Sequence, residues 1–79
     1  MAIFGREIIG RQVLDQTGEG LGVLIDLQFD TISGSISDFV VEVHTDIDIT
    51  KLPFESNGNM VKIPATSVNT VAKEIHLSV

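Results

Sequence analysis

The sequence predicts an all-β fold, a small antiparallel β-barrel or rolled sheet of five or six short strands. Three observations predict it: apolar residues recur at every second position in several short segments, turn-forming residues separate these segments, and no long segment has helical periodicity. A chain of 79 residues provides for a single domain, which we expect to span residues 1–79. Closure of the barrel would also protect strand edges rich in β-branched residues.

The first predicted strand covers residues 10–15, and a turn follows it up to residue 20. Asp15 is expected to bond backbone N–H groups within this turn, while Gly18 and Gly22 are expected to allow positive φ and a tight bend. The next strand begins at residue 21. Its expected buried face consists of the alternating apolar residues Leu21, Val23, Ile25, Leu27 and Phe29.

Two further turns organise the middle of the chain. Gly34 ends the turn that leads into a strand over residues 36–43, which pairs with the preceding strand as an antiparallel hairpin. Asn57 and Gly58 suit the central positions of a type I′ turn, and this turn predicts a second hairpin between residues 51–55 and 60–63. Pro64 ends that hairpin because proline has no N–H for the ladder.

The remaining segments are less regular. Residues 44–54 form a strand or an irregular crossing. Residues 65–71 could make one short helical turn, and residues 74–77 close the sheet with Ile75 and Leu77 facing inward.

Composition excludes several classes of function. Eleven acidic residues oppose five basic ones, giving a net charge of −6. This charge disfavours direct binding to nucleic acid and to anionic membranes. No export signal is recognisable, and no apolar stretch approaches the roughly 20 residues of a membrane helix, so we expect a soluble, cytoplasmic protein without membrane insertion. The chain has no cysteine and therefore no disulfide or thiolate site.

The sequence contains only weak candidates for a cofactor-binding or metal-binding site. Residues 18–22 resemble a nucleotide-binding glycine loop, but the third glycine would fall at Val23 and a strand follows, so no cofactor is predicted. His44, Asp46 and Asp48 alternate along the chain and could project to one side. A calcium loop starting at Asp46 fails at its glycine and glutamate positions, and a solvated acidic rim is favoured over a metal site.

Few residues are candidates for a catalytic role. Asp15, Asp26, Asp30 and Asp38 have no sign of the burial that tunes a general acid or base. The serines have no positioned base, so a hydrolytic triad is not expected. We therefore predict no catalytic residue and no enzymatic activity.

More apolar residues are present than a small barrel can enclose. The surplus residues are Ile3, Phe4, Ile8, Ile9, Leu24, Ile32, Ile47, Ile49 and Phe54. They predict a homo-oligomer, with a dimer favoured, and contact with another protein. The predicted contact residues are Phe4, Ile47, Ile49 and Phe54, and an Ile49→Asp variant is expected to fold but not to associate. Binding of a small ligand in the barrel mouth is the weaker alternative.

Residues 10–30 resemble the PRC-barrel family. The resemblance is carried by glycines, a valine and aspartates at family-typical spacing, namely Gly10, Val13, Asp15, Gly18, Gly22 and Asp26. The strand at residues 39–43, the Ile63-Pro64 corner leading to Val68, and the closing residues 74–77 also resemble the family. Together these segments cover nearly the whole chain.

The resemblance implies a barrel whose common theme is protein contact. Known members include a domain of the photosynthetic reaction-centre H subunit, a domain of a ribosome maturation factor that binds a small-subunit protein, and free-standing archaeal proteins. This chain looks most like the archaeal type, some of which are adaptors in cell division by a tubulin-like ring. The resemblance implies such an adaptor, or alternatively an accessory factor in RNA processing or ribosome maturation that binds a basic ribosomal protein.

Overall fold

The computed structural model describes residues 5–79, which form one seven-stranded sheet with short helical segments. The all-β prediction is confirmed. The elements are α1 (Gly5–Ile8), β1 (Gln12–Leu14), β2 (Gly20–Phe29), β3 (Ile36–Val43), the 3₁₀-helix η1 (Ile49–Lys51), β4 (Glu55–Asn57), β5 (Met60–Pro64), the 3₁₀-helix η2 (Ala65–Ser67), β6 (Val68–Val71) and β7 (Ile75–Leu77).

The strand order is β4-β5-β3-β2-β1-β7-β6. All neighbours pair antiparallel except β1 and β7, which are parallel. Within the described residues the sheet therefore has two edge strands, β4 and β6. These two strands do not pair with each other, so the sheet is open rather than a closed barrel. The number of strands is also higher than the five or six expected.

Strand β6 accounts for the additional strand. The predicted helical turn at residues 65–71 is confined to η2, and Val68–Val71 are extended and pair with β7. Val68, Thr70 and Val71 are β-branched, and such side chains favour an extended backbone.

The β2–β3 hairpin forms as predicted, but a β-bulge changes which residues of β2 face the core. Leu24 lies opposite Val41, whereas the next paired residue of β2, Asp26, lies opposite Val40, so Ile25 is an extra residue. Before the bulge Leu21, Gly22 and Leu24 are buried, whereas after it Leu27 is half-buried between the exposed Asp26 and Gln28. Leu24, expected outside the buried face, is therefore 0% exposed.

Phe29 was expected on the buried face but is 54% exposed. It lies opposite Ile36, at the far end of the hairpin, and the pairing of β3 with β5 already ends at Asp38. Phe29 thus lies near the end of the hairpin, beyond the point where β3 pairs with β5.

The second hairpin differs from the prediction by one residue. Asn57 pairs with Met60, so Gly58 and Asn59 form the loop, and only Gly58 has a positive φ, of 64°. The turn is therefore not type I′, which requires positive φ at both central positions. Residues 51–54 do not form a strand, and Pro53, which has no N–H, interrupts this segment. Strand β5 ends at Pro64 as predicted.

The core is formed by residues of α1 and of strands β1, β2, β3, β5 and β7. Its buried residues are Ile8, Val13, Leu21, Leu24, Phe39, Val41, Val43, Val61, Ile63, Ile75 and Leu77. Gly22 is buried among them, and it does not have the positive φ that the sequence suggested. A Cβ at Gly22 would instead collide with the carbonyl oxygen of Glu42, so glycine allows β2 and β3 to approach closely at this position.

Candidate functional site

Three of the predicted contact residues lie in the segment between β3 and β4. Ile47, Ile49 and Phe54 are half-buried and pack against the core. They are therefore less available than the sequence suggested, and Ile49→Asp would also disturb packing. Phe4 lies outside the described residues. Contact by these residues with another protein remains a prediction.

Phe54 lines an apolar groove. The groove has a volume of about 190 Å³, and we call it the Phe54 groove. Its apolar lining consists of Leu21, Leu52, Pro53, Phe54, Leu77 and Val79. Because these residues come from β2, from the segment after η1 and from the end of the chain, the fold assembles an apolar surface that no single motif encodes.

Ile47 and Ile49 line a different depression. It has a volume of about 260 Å³ and also contains His44 and Asn59. Phe54 does not line this depression. The structure therefore brings Ile47 and Ile49 together and places Phe54 at a separate surface.

Hydrogen bonds within the segment hold η1 in place. The Asp48 Oδ1 atom accepts hydrogen bonds from the Thr50 N–H at 3.0 Å and from the Thr50 hydroxyl at 2.6 Å. The Thr50 hydroxyl, followed by its backbone N–H, lowers the pKa of Asp48 because both bonds favour the ionised carboxylate. Asp48 thus acts as the N-cap of η1.

Asp15 organises the turn between β1 and β2. Its Oδ1 atom accepts hydrogen bonds from the Thr17 N–H at 2.9 Å, the Thr17 hydroxyl at 2.6 Å and the Glu19 N–H at 3.0 Å. The Thr17 hydroxyl is the largest cause of the lowered pKa of Asp15. Gly18 completes the turn with a φ of 88°. This network occupies the carboxylate with local backbone groups, which fits a structural role.

A second apolar surface lies at the tip of the β2–β3 hairpin. Phe29 is 54% exposed and Ile32 is 96% exposed, while Leu27 and Ile36 beside them are half-buried. The sequence predicted a buried Phe29 because alternation along β2 does not show where the neighbouring strands end. The apolar Leu24, which is out of phase with that alternation, was a sequence signal for the bulge.

In the described part of the chain, no three histidine, aspartate or glutamate side chains come together as a metal-binding group. His44, Asp46 and Asp48 are all exposed. The solvated acidic rim is the interpretation that this arrangement favours.

Comparison with known proteins assigns the chain to a family. Over residues 5–79 no helix has the length and apolar character needed to cross a membrane. No curated protein matches the sequence. The family model for the PRC-barrel domain, however, matches residues 1–79, the whole chain. The chain therefore belongs to the PRC-barrel domain family.

Proposed function

We propose that this protein is a non-enzymatic adaptor, a protein–protein interaction module that works as a homodimer. The proposal rests on how apolar side chains are distributed between the core and the surface. Every buried side chain in residues 7–79 is apolar, whereas apolar residues also line the Phe54 groove and form the tip of the β2–β3 hairpin. The exterior therefore offers surfaces for contact. PRC-barrel domains often mediate protein interactions, which supports the same proposal.

The absence of enzymatic activity is part of the proposal. Catalytic acids and bases are commonly tuned by burial, and residues 7–79 contain no buried polar or charged residue. The two carboxyls with shifted pKa values, Asp15 and Asp48, are lowered by bonds within their own turns. Neither shift prepares a group for proton transfer near neutral pH.

The Phe54 groove is the surface that we assign to homodimer formation. Two copies would cover Leu52, Phe54 and Val79, and their burial favours association. A small core without disulfide bonds gains stability from such a partner. The groove carries one acidic residue, Asp15, at its rim, so charge repulsion opposes this contact only weakly.

Sedimentation equilibrium tests the dimer. At roughly tens of micromolar we expect a mass of twice 8.5 kDa for the wild-type chain. Phe54→Ser should raise the fraction of monomer, because it removes an apolar contact from the groove. Ile32→Ser is the matched control, since Ile32 is 96% exposed at the hairpin tip, and it should leave the mass unchanged. A wild-type monomer across this range would remove the dimer from the proposal.

The resemblance to free-standing archaeal PRC-barrel proteins supports an adaptor role in cell division, in the cytoplasm of an archaeon. The net charge of −6 favours the alternative, a ribosome maturation factor acting through a basic ribosomal protein. Affinity capture from the source organism separates the two. Recovery of division proteins supports the first process. Recovery of ribosomal particles, fading as salt rises, supports the second. Capture of no protein would contradict the adaptor function itself.

A further inference from the structure

Among residues 5–79, no helix or strand covers the exposed apolar side chains at the tip of the β2–β3 hairpin. We define the hairpin tip as residues 27–36. Ile32 is 96% exposed and Phe29 is 54% exposed, and they are the two most exposed large apolar side chains in the described residues. Phe29 lies at the end of β2, opposite Ile36, and Ile32 lies in the turn three residues later. Large apolar side chains exposed at the same end of a hairpin indicate a contact surface.

The pairing of the strands explains why the hairpin tip is uncovered. The register of β1 against β2 ends at Val23, and the register of β5 against β3 ends at Asp38. Strands β2 and β3 continue together to the Phe29–Ile36 pair. A strand advances about 3.3 Å per residue, so β2 outruns its neighbour β1 by about 20 Å. The tip thus extends beyond the strands that enclose the core.

The turn within the hairpin tip is held by hydrogen bonds. The Asp30 Oδ1 atom accepts from the Ile32 N–H at 2.8 Å and from the Ser33 N–H at 3.3 Å. The Asp30 N–H donates to the Ser35 carbonyl at 2.8 Å, and the Gly34 N–H donates to the Asp30 carbonyl at 2.8 Å. Ile32 therefore lies in an ordered turn. Binding of a partner to Ile32 would cost little conformational entropy in this chain, because the turn is already fixed.

The charged side chains of the β2–β3 hairpin itself are all acidic. No lysine or arginine occurs between residues 12 and 50. The acidic residues in this part of the chain are Asp15, Glu19, Asp26, Asp30, Asp38, Glu42, Asp46 and Asp48. Asp26, Asp30 and Asp38 belong to the distal half of the hairpin itself. Carboxylates on the hairpin thus flank Phe29 and Ile32 in the sequence, and such charges attract cationic groups and repel anionic ones.

We propose that the hairpin tip binds a positively charged segment of a partner protein, which places apolar side chains on Phe29 and Ile32. The inference rests on the proposed interaction function and specifies one surface and the chemistry of its partner. A second copy of this chain is a poor occupant, because it would bring the same negative charges together. Nucleic acid and anionic lipid are repelled for the same reason.

Titration with a designed peptide tests the chemistry of the surface. The probe is a short synthetic peptide of alternating lysine and leucine, added to the ¹⁵N-labelled full chain and followed by NMR. We expect saturable shifts concentrated in residues 27–36. A peptide with glutamate in place of lysine should not bind, and one with serine in place of leucine should bind more weakly.

Surface variants test the residues. Phe29→Ser combined with Ile32→Ser should weaken binding of the lysine–leucine peptide by about tenfold or more. Ile9→Ser is the matched control, since Ile9 is 42% exposed and belongs neither to the hairpin tip nor to the lining of the Phe54 groove, and it should leave the affinity within about twofold. Urea unfolding of each variant checks that the fold is intact.

Several results would overturn the inference: no saturable binding, shifts spread over Asp15 and Asp46 as strongly as over the tip, or equal binding by the double variant. Concentration-dependent shifts at the tip without peptide would identify a second copy as its occupant and would also overturn it. Binding assays with natural partners, obtained by affinity capture, distinguish a failure of this inference from a failure of the proposed function. If they bind the double variant as tightly as the wild type, the adaptor function stands and the hairpin tip is not its surface.

Discussion

Gly22 illustrates at the residue scale how one missing side chain permits two strands to meet. A Cβ at Gly22 would collide with the Glu42 carbonyl oxygen, which belongs to the backbone of β3 and cannot move independently. A Cβ at Gly20 would meet only the amide end of the Gln12 side chain, which can rotate away. The same chemical change therefore has different costs at two positions of one strand.

Gly22→Ala should lower the free energy of unfolding by about 1–3 kcal/mol, because the backbone of β3 must shift. Gly20→Ala is the matched control and should change it by about 0.5 kcal/mol or less. Urea unfolding followed by circular dichroism measures both. Equal effects of the two variants would mean that β2 and β3 are not in close contact at Gly22.

Asp15 and Asp48 predict a pH dependence of stability. Each carboxyl has a pKa below its ordinary value of 3.8 in the folded chain, chiefly because it accepts a hydroxyl hydrogen bond. A depressed pKa means that stabilisation is present above the unfolded-state pKa and is lost as pH falls through the folded-state pKa. The urea midpoint should therefore fall as pH is lowered below about 4.

A variant that combines Asp15→Asn with Asp48→Asn tests the source of this dependence. Asparagine keeps an acceptor oxygen but does not titrate in this range, so the fall in the urea midpoint should be smaller than in the wild type. Glu74→Gln, at an exposed position, serves as the control and should retain the wild-type dependence. An unchanged pH dependence in the double variant would assign the effect to other carboxyls.

The sequence predicts the structural roles of some residues but not of others. The role of Asp15 follows from local chemistry, because an aspartate two residues before a threonine bonds that residue's N–H. The role of Gly22 does not, since its partner Glu42 is distant in the sequence and the contact exists only after β2 and β3 pair.

At the scale of elements, the bulge in β2 decides which side chains enter the core. Alternation correctly predicted strands at residues 21–29 and 36–43, but it could not show where an extra residue interrupts the pairing. The same limit applies to the second hairpin. The Asn57-Gly58 pair predicted a turn centred on these two residues, but the pairing of the strands places the turn at Gly58 and Asn59.

Two substitutions in β2 test the bulge. Leu24→Ala should lower the free energy of unfolding by about 2–5 kcal/mol, because Leu24 is 0% exposed in the core. Phe29→Ala should lower it by about 1 kcal/mol or less, since much of that side chain is already in water. Without the bulge Leu24 would lie outside the buried face, so a loss at Leu24 no larger than the loss at Phe29 would contradict the bulge.

At the scale of the whole molecule, the strands form one elongated sheet with extents of 34 × 24 × 19 Å. The all-β class was predictable because alternation and turns are local features. The parallel pairing of β1 with β7 was not, since it joins segments near opposite ends of the chain. The contact surfaces were predicted only in part for the same reason: the Phe54 groove combines residues from distant segments.

The strongest test of the account is a calorimetric titration of the purified chain with the purified partner recovered by affinity capture. We predict saturable binding that weakens in the Phe29→Ser and Ile32→Ser double variant and weakens as salt rises. A partner that fails to bind the purified chain, or a metabolite that the chain converts to product, would contradict the claim that this PRC-barrel protein works through contacts on its exterior.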